Sequence, residues 1–268
     1  VSRSGTSASG AVSVVFSLMA IYQAFGFMFG HGAGSNISRK LGEKREDLVI
    51  TYASTSLFLS LACGAAVSVL GLLFMNPLLR FLGSTETILP YARQYVFWVL
   101  LAGPLLSGSC VLNNILRYEG QAFYAMIGLM TGGILNMIGD PILMFGCKLG
   151  VSGAGISTAV SQLISFGILL GMFRGDKTIS TFHPGYFARD TRVVKEIVSA
   201  GFPSLIRQGL GSFTSILLNH QAALYGDAAI AAMGIVGKVS FFISAVAIGI
   251  GQGFQPVSAF NFGARKYR

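Results

Sequence analysis

One carboxylate in this chain, Asp140, stands well inside an apolar run, and the residues around it supply oxygen. Leaving a carboxylate in hydrocarbon costs about 2.5 to 3.5 kcal/mol on the gentler insertion scales, so such a residue belongs against a cavity or a partner. Asn136 lies one helical turn earlier, on the same face. Thr158 sits on the next apolar run, which is antiparallel because the connection is short. Counted back from that connection, Asp140 and Thr158 are each about six residues deep, roughly 9 Å by helical rise, so they share a level. A carboxylate, an amide oxygen, a hydroxyl and a nearby backbone carbonyl form an all-oxygen set suited to a hard cation, and a buried carboxylate can equally take a proton. A second reading needs no ion. In it Asp140 caps a helix kinked at Pro141 and Thr158 bonds back to its own helix.

Other polar residues inside apolar runs are uncharged or basic. Gln23, Gln252 and Gln255 offer adaptable amide hydrogen bonds to varied substrates, or glue between helices. Arg207 and Lys238 each need a carbonyl or acidic partner, or must snorkel. Arg117, Glu119 and Gly120 read as a tight structural turn, and His31, His183 and His220 are not spaced as a ligand set. The 21 Phe and 9 Met suit a plastic, aromatic-lined cavity that holds flat cations. Cys63, Cys110 and Cys147 lack disulfide or zinc spacing and read as small core residues.

The elements that must hold these residues are membrane helices. Hydrophobic residues make up 53% of the chain and charged ones 11%, the charges falling in short stretches between long apolar runs. A spanning helix needs roughly 20 apolar residues, whereas barrel strands are about 10 long and alternate. The expected fold is therefore all-α and polytopic, with seven spans near 10–37, 48–75, 90–116, 121–146, 153–173, 196–219 and 229–261. Thirty-five glycines support this, since small residues let membrane helices approach closely. Thirteen basic residues lie in the loops after the first, third, fifth and seventh spans, against Arg3, Arg80, Arg93 and Lys148 on the other side. That asymmetry puts the first residue outside and the last in the cytoplasm.

The net charge of +9 marks topology rather than a nucleic-acid surface, since no basic stripe carries interleaved aromatics. No nucleophile–base pair or metal motif suggests an enzyme, and no cofactor is expected. The stretch RGDKTISTFHPGYFARDTRVVK reads as a cytoplasmic hinge between two bundles. Sliding the sequence by 221 residues pairs Gly5 with Gly226, Gly30 with Gly251, Gly32 with Gly253 and Gly42 with Gly263. Both paired spans end in a glycine followed by a basic cluster, as in two repeats related by an axis along the membrane normal. Residues 1–175 then form an N-terminal lobe with five of six helices, 176–195 a linker, and 196–268 the first two helices of a C-terminal lobe. With no initiator Met and no signal peptide, the chain reads as a fragment, one helix expected before it and four after it.

GAGSNISRKLG, LRYEGQ, NMIGDP, GVSGAGISTAVSQ and GIGQGFQPVSAFNFGA, in that order, resemble the multidrug and toxic compound extrusion family. They lean toward the bacterial branch that includes the staphylococcal multidrug exporter and the DNA-damage-inducible exporter. The resemblance implies a twelve-helix, two-lobed, monomeric antiporter in the bacterial plasma membrane, exporting cationic amphiphilic compounds by alternating access on sodium or proton flow. It also implies a cation site made of Asn136, Asp140, Thr158 and the Ala154 carbonyl, with Gln23, Gln252 and Gln255 at the substrate cavity. His31 departs from the family's small or aliphatic residue, and the acidic residue another branch carries on the seventh helix has no counterpart near Gly211. The resemblance implies that the family's first helix, which in this branch carries an acidic residue important for coupling, is expected before residue 1. A lipid-linked oligosaccharide flippase of the same superfamily needs several cations in its cavity, and only Arg207 and Lys238 are available. A seven-helix retinal protein could pair Lys238 with Asp140, but the repeat and the family-like helix ends count against it.

Overall fold

Long apolar runs broken by short polar connections fold here as long helices. The computed structural model describes the backbone of residues 6–82, 84, 88–175, 178–188, 190–223 and 227–266. It describes side chains over 15–210 of those ranges, at 214, 236 and 240, and over 242–266. Helix α1 is Thr6–Gly42, α2 Glu46–Leu73, α3 Met75–Phe81, α4 Leu89–Tyr118, α5 Ala122–Pro141, α6 Gly150–Met172, α7 Thr191–Ala223 and α8 Asp227–Gly263. No strand occurs among the described residues. Each expected span falls on one long helix, and α3 is a short addition between α2 and α4. Among the described residues, α2, α4, α5 continued to Gly146, and α6 are long and apolar enough to cross a membrane.

Helix α1 is the centre of the arrangement and touches α2, α4, α7 and α8. Its contact with α4 is a parallel seam in which Gly26, Gly30 and Gly34 rest on Cys110, Asn114 and Tyr118. Hydrocarbon gives helices no hydrophobic reason to associate, so this closeness is what supplies dispersion contact. On another face α1 runs antiparallel to α7. Gly32 there meets the Ile197 carbonyl, and Gly201 meets the Met28 carbonyl. At the end carrying the basic loops, α1 crosses α8. A methyl on Gly42 would run into the Phe260 carbonyl, and one on Gly263 into the Arg39 carbonyl. The 221-residue offset maps each of these two contacts onto the other.

Pro104 lies in the middle of α4 and has no N–H to give the Leu100 carbonyl. The Ser68 hydroxyl of α2 takes that place, donating to Leu100 O at 2.6 Å. Having given its proton away, Ser68 accepts one from Tyr22 of α1, whose Oη lies 2.8 Å from Ser68 Oγ. Three helices are thus tied at one point by the pairing a membrane backbone requires.

The segment between α6 and α7, expected as a hinge, is a strap fastened to the first helices. The Glu119 carboxylate, in the α4–α5 turn, accepts from Ile179 N at 3.1 Å, from Ser180 N at 3.0 Å and from the Ser180 hydroxyl. Ser54 of α2 donates to Thr181 O at 3.0 Å, Thr55 accepts from Ala188 N at 2.9 Å, and Phe182 sits edge-on against Phe173. Burial holds the Glu119 carboxyl above the ordinary glutamate value, while the strap's donors pull the other way. The turn itself is as expected, with Gly120 at φ 83° and Gly120 N bonded to Arg117 O at 3.0 Å. The start of α7 is held as well: Asn36 reaches the Glu196 carbonyl at 3.5 Å, and Tyr52 donates to the Glu196 carboxylate.

Two outcomes follow. Ser68→Ala leaves a buried carbonyl and the Tyr22 hydroxyl unpaired, so it is expected to lower stability by about 1–3 kcal/mol. Thermal unfolding of purified protein reads this, and an unchanged midpoint contradicts the tie. Glu119→Ala removes the acceptor for three strap donors, so limited trypsin digestion is expected to cut at exposed Arg174 several-fold faster, by the loss of local protection. Equal digestion rates would show that the strap is held without Glu119.

Candidate functional site

Pro141 likewise leaves the Met137 carbonyl without its helical partner, and beyond it α5 opens into a π-helical turn over Ile142–Gly146. Two glycines bring α6 against this break. A Cβ on Gly139 would lie 2.6 Å from Ser157 Oγ, and one on Gly153 would lie 2.7 Å from the Leu143 carbonyl. Asn136, Asp140, Ala154 and Thr158 therefore lie side by side across the α5–α6 contact.

Asn136 Nδ2 is at the middle of the group. It donates to Asp140 Oδ1 at 3.1 Å and to Thr158 Oγ1 at 3.1 Å, and lies 3.4 Å from Ser157 Oγ. Thr158 Oγ1 gives its own proton to the Ala154 carbonyl at 2.9 Å, so Tyr95 of α4, 3.2 Å away, is the donor to it. Ser157 Oγ donates to the Asn136 carbonyl at 3.3 Å. Thr158 does bond back to its own helix, as the ion-free reading has it, yet the same oxygen also serves Asn136 and Tyr95. Ser157, Thr158 and Ala154 are buried, while Asp140 and Asn136 are partly exposed.

Amide O and N are assigned from the bonding network, and a half-turn of the Asn136 amide exchanges them. After that turn the centre is faced by oxygen from Asp140, Asn136, Ser157 and Thr158, with the Ala154 carbonyl behind. One carboxylate gives the group a single formal negative charge, which matches a monovalent cation or a proton. No cluster of three or more His, Cys, Asp or Glu occurs among the described residues. Tyr95 and Ser157 went unseen in the sequence. Ser157 is adjacent to Thr158 and could have been found by its proximity to Gly139 across the pair, but nothing in the spacing brings in Tyr95 from a third helix.

The glutamines lie elsewhere. A cavity of 1020 Å³ opens between α1, α7 and the end of α3, away from the basic loops, lined by residues including Phe16, Phe25, Phe81, Leu205, Ile206 and Gln208. Gln23, Gln252 and Gln255 are not among its lining residues. Gln252 accepts from the Arg117 guanidinium, which also bonds Asn114 Oδ1. Gln255 accepts from Tyr118 Oη at 2.9 Å and borders a second, 520 Å³ pocket nearer the basic loops. Arg117 is thus more than a turn residue, since its side chain joins α4 to α8. Arg207 is exposed on α7, while the side chains of Lys238 and His220 lie outside the described residues.

The sequence profile of the MatE family matches residues 1–142 and 203–268. The chain belongs to the MatE family. Two curated relatives, each named multidrug export protein MepA, come from Staphylococcus haemolyticus and Staphylococcus aureus. Each is 31% identical over 258 residues, 96% of this chain and 57% of the relative, so the chain spans little more than half their length. A MATE crystal structure in the straight conformation superposes with TM-score 0.91 at 26% identity, over 99% of this chain and 60% of that one. An outward-facing multidrug resistance MATE family transporter gives TM-score 0.86 at 25% identity, over 99% and 59%. Family membership and the apolar helices make this a membrane-embedded protein. The MatE match includes Asn136 and Asp140, while Ala154, Ser157 and Thr158 lie on α6 between the two matched segments.

The fit of α5 on α6 is testable at its glycines. Gly139→Val forces the helices apart at Ser157, whereas Gly133→Val points into open space. The first is expected to lower the unfolding midpoint by several degrees, on the order of 1–3 kcal/mol for overpacking, and the second to leave it unchanged. Equal midpoints for the two variants would mean that α6 does not close on α5 at Gly139.

Proposed function

We propose that the protein carrying this chain is an antiporter that exports cationic amphiphilic drugs and toxic compounds, driven by inward sodium or proton flow, in the bacterial plasma membrane. The observation that carries this reading is the oxygen group around Asp140, built from three helices at a proline break. Asp140, Asn136, Ser157, Thr158 and the Ala154 carbonyl would hold the ion, which supplies the charge that biases one conformation over another. A proton would reside on the Asp140 carboxylate. The outer cavity supports an amphiphilic substrate: its volume of 1020 Å³ suits drug-sized molecules, and Phe16, Phe25 and Phe81 in its lining are aromatic groups of the kind that hold a flat cation. Among the described residues no basic side chain lines that cavity, which argues against a pyrophosphate-bearing flippase substrate.

Alternating access in this reading is the rocking of two lobes in a monomeric, twelve-helix protein, with α1–α6 in one lobe and α7 and α8 opening the other. The reciprocal contact of Gly42 and Gly263 supports a pseudo-twofold axis along the membrane normal, and the relatives' greater length supports further helices. The basic loops put the carboxyl end of α8 in the cytoplasm. The names of the staphylococcal relatives support drug export as the outcome.

In Asp140→Asn the shape and most hydrogen bonds survive, but the titratable charge is gone. A site that cannot change occupancy has no differential affinity with which to shift the conformational equilibrium. Drug binding is therefore expected to persist while efflux driven by an imposed sodium or proton gradient falls to background. Thr158→Val, which deletes one neutral oxygen, is expected to cost on the order of tenfold or less in efflux rate, as for the loss of one neutral hydrogen-bonding group. The assay is ethidium efflux from proteoliposomes at equal protein content. Undiminished driven efflux in Asp140→Asn returns the carboxylate to capping the kink.

A further inference from the structure

The strap between α6 and α7 presents large apolar side chains outward. Its short 3₁₀ turn, Pro184–Tyr186, is held by His183, whose ring accepts from Gly185 N at 3.1 Å and meets the Tyr186 ring edge-on, 6.1 Å between centroids. On this turn and beside it Tyr186 is 51% exposed, Phe187 40% and Ile179 37%. Exposed groups of this size, concentrated on a short connection, mark a surface that meets something other than water.

The strap's depth says what that is. Thr181 and Ala188 are bonded to Ser54 and Thr55, eight and nine residues past the start of α2 at Glu46. Helix α2 has 28 residues, about 42 Å by helical rise, which is the thickness of a bilayer with its headgroups. Ser54 is then about 12 Å in from the end that carries the basic loops. The headgroup layer is roughly 5–7 Å deep on each side, so the strap runs along α2 close to where headgroups meet hydrocarbon. Amphipathic aromatic rings favour that level. The charge of the strap agrees: residues 174–195 include five basic and two acidic ones, and Arg174, Arg192 and Lys195 are exposed. Asp190 accepts from Arg192 N at 2.9 Å, and Glu196, just beyond, accepts from Tyr52. Among the described residues no ion pair takes up any of the three exposed basic side chains.

We propose that the strap is an interfacial surface that binds anionic phospholipid, with Tyr186, Phe187 and Ile179 entering the headgroup boundary and Arg174, Arg192 and Lys195 pairing with phosphate oxygens. One lipid molecule supplies both partners, hydrocarbon for the rings and an oxyanion for the guanidinium and ammonium groups. A basic group beside an anionic leaflet gains about fivefold in affinity, so three together give a measurable preference over zwitterionic lipid. Because the strap joins α6 to α7, its anchorage holds the start of α7 at the membrane surface.

Trp98 is the one tryptophan of the sequence, so Trp98→Phe with Tyr186→Trp puts a single indole on the strap. The protein is placed in nanodiscs whose phosphatidylcholine is brominated near the headgroup end of its chains. The indole at position 186 is expected to be strongly quenched by the bromine and nearly untouched by aqueous iodide. Iodide quenching without bromine quenching puts that face in water or against a soluble partner, and quenching by neither puts it against protein; either result overturns the proposal. The preference for charge is read by energy transfer from the same indole to dilute lipid carrying a dansyl group on its chain. Transfer to phosphatidylglycerol is expected to exceed transfer to phosphatidylcholine at least about threefold, by enrichment around the basic groups. Arg174→Gln, Arg192→Gln and Lys195→Gln together are expected to bring the two within about 1.5-fold, as is salt near 1 M, where the screening length is about 3 Å. Equal transfer before those substitutions, or an excess that survives them, overturns the assignment. The three sites are exposed, so the substitutions leave the packing alone, and where Trp98 is kept the difference made by Tyr186→Trp gives the same readings. No reading depends on transport, so failure here leaves the Asp140 coupling intact, and a failure of driven efflux leaves this surface intact.

Discussion

A carbonyl inside a membrane span must find a donor, and Pro104 leaves one without its own in the middle of α4. The Ser68 hydroxyl on Leu100 O, backed by Tyr22, answers that need from two other helices. The rotation of α4 about its axis is fixed as a result. With that face turned to α1 and α2, Tyr95 is left facing α6, and Asn114 and Tyr118 face the glycines of α1. A single unmet backbone group thus sets the register on which both the oxygen cluster and the α1 seam depend.

The second constraint is that closeness must replace the hydrophobic effect. Where α5 meets α6 and where α1 meets α7 and α8, glycines face a backbone carbonyl or a hydroxyl, and a methyl group has no room. Such seams are specific because they admit one alignment. They also involve no charge and little conformational change within each helix, so surfaces of this kind can part and rejoin as rigid units. The reciprocal Gly42 and Gly263 contact has that character, each glycine meeting the carbonyl that its counterpart's helix offers at the equivalent position.

The helices were legible because roughly 20 apolar residues between short polar loops leave a membrane chain few alternatives. Asn136, Asp140 and Thr158 were legible for a related reason: helical periodicity and a short antiparallel connection fix both face and depth. The same reasoning cannot reach across unconnected helices, so neither Tyr95 nor the bonds of Gln252 to Arg117 and of Gln255 to Tyr118 could be read from spacing. The fastening of the segment between α6 and α7 was not legible, because its Pro, Gly and basic residues say nothing of what it rests on. What fastens it are two hydroxyls of α2 and the Glu119 carboxylate, far away in sequence.

Helix α4 also shows how two distant polar sites share one element. Tyr95, near one end, donates to Thr158 in the oxygen group, and Arg117, near the other, reaches Gln252 of α8. By helical rise these residues are about 33 Å apart. A straight helix would transmit a tilt at one end to the other without loss. Pro104 lies between them, and there the helix has exchanged a main-chain bond for one from a Ser68 side chain. A proline leaves the ladder one bond short, so the two halves of α4 are joined at a point where the helix's own bonding is weakest and a bond from α2 takes its place. The glycine seam of α1 follows the half of α4 that carries Arg117, so that half is packed along α1, while the half that carries Tyr95 is held by Ser68 and Thr158.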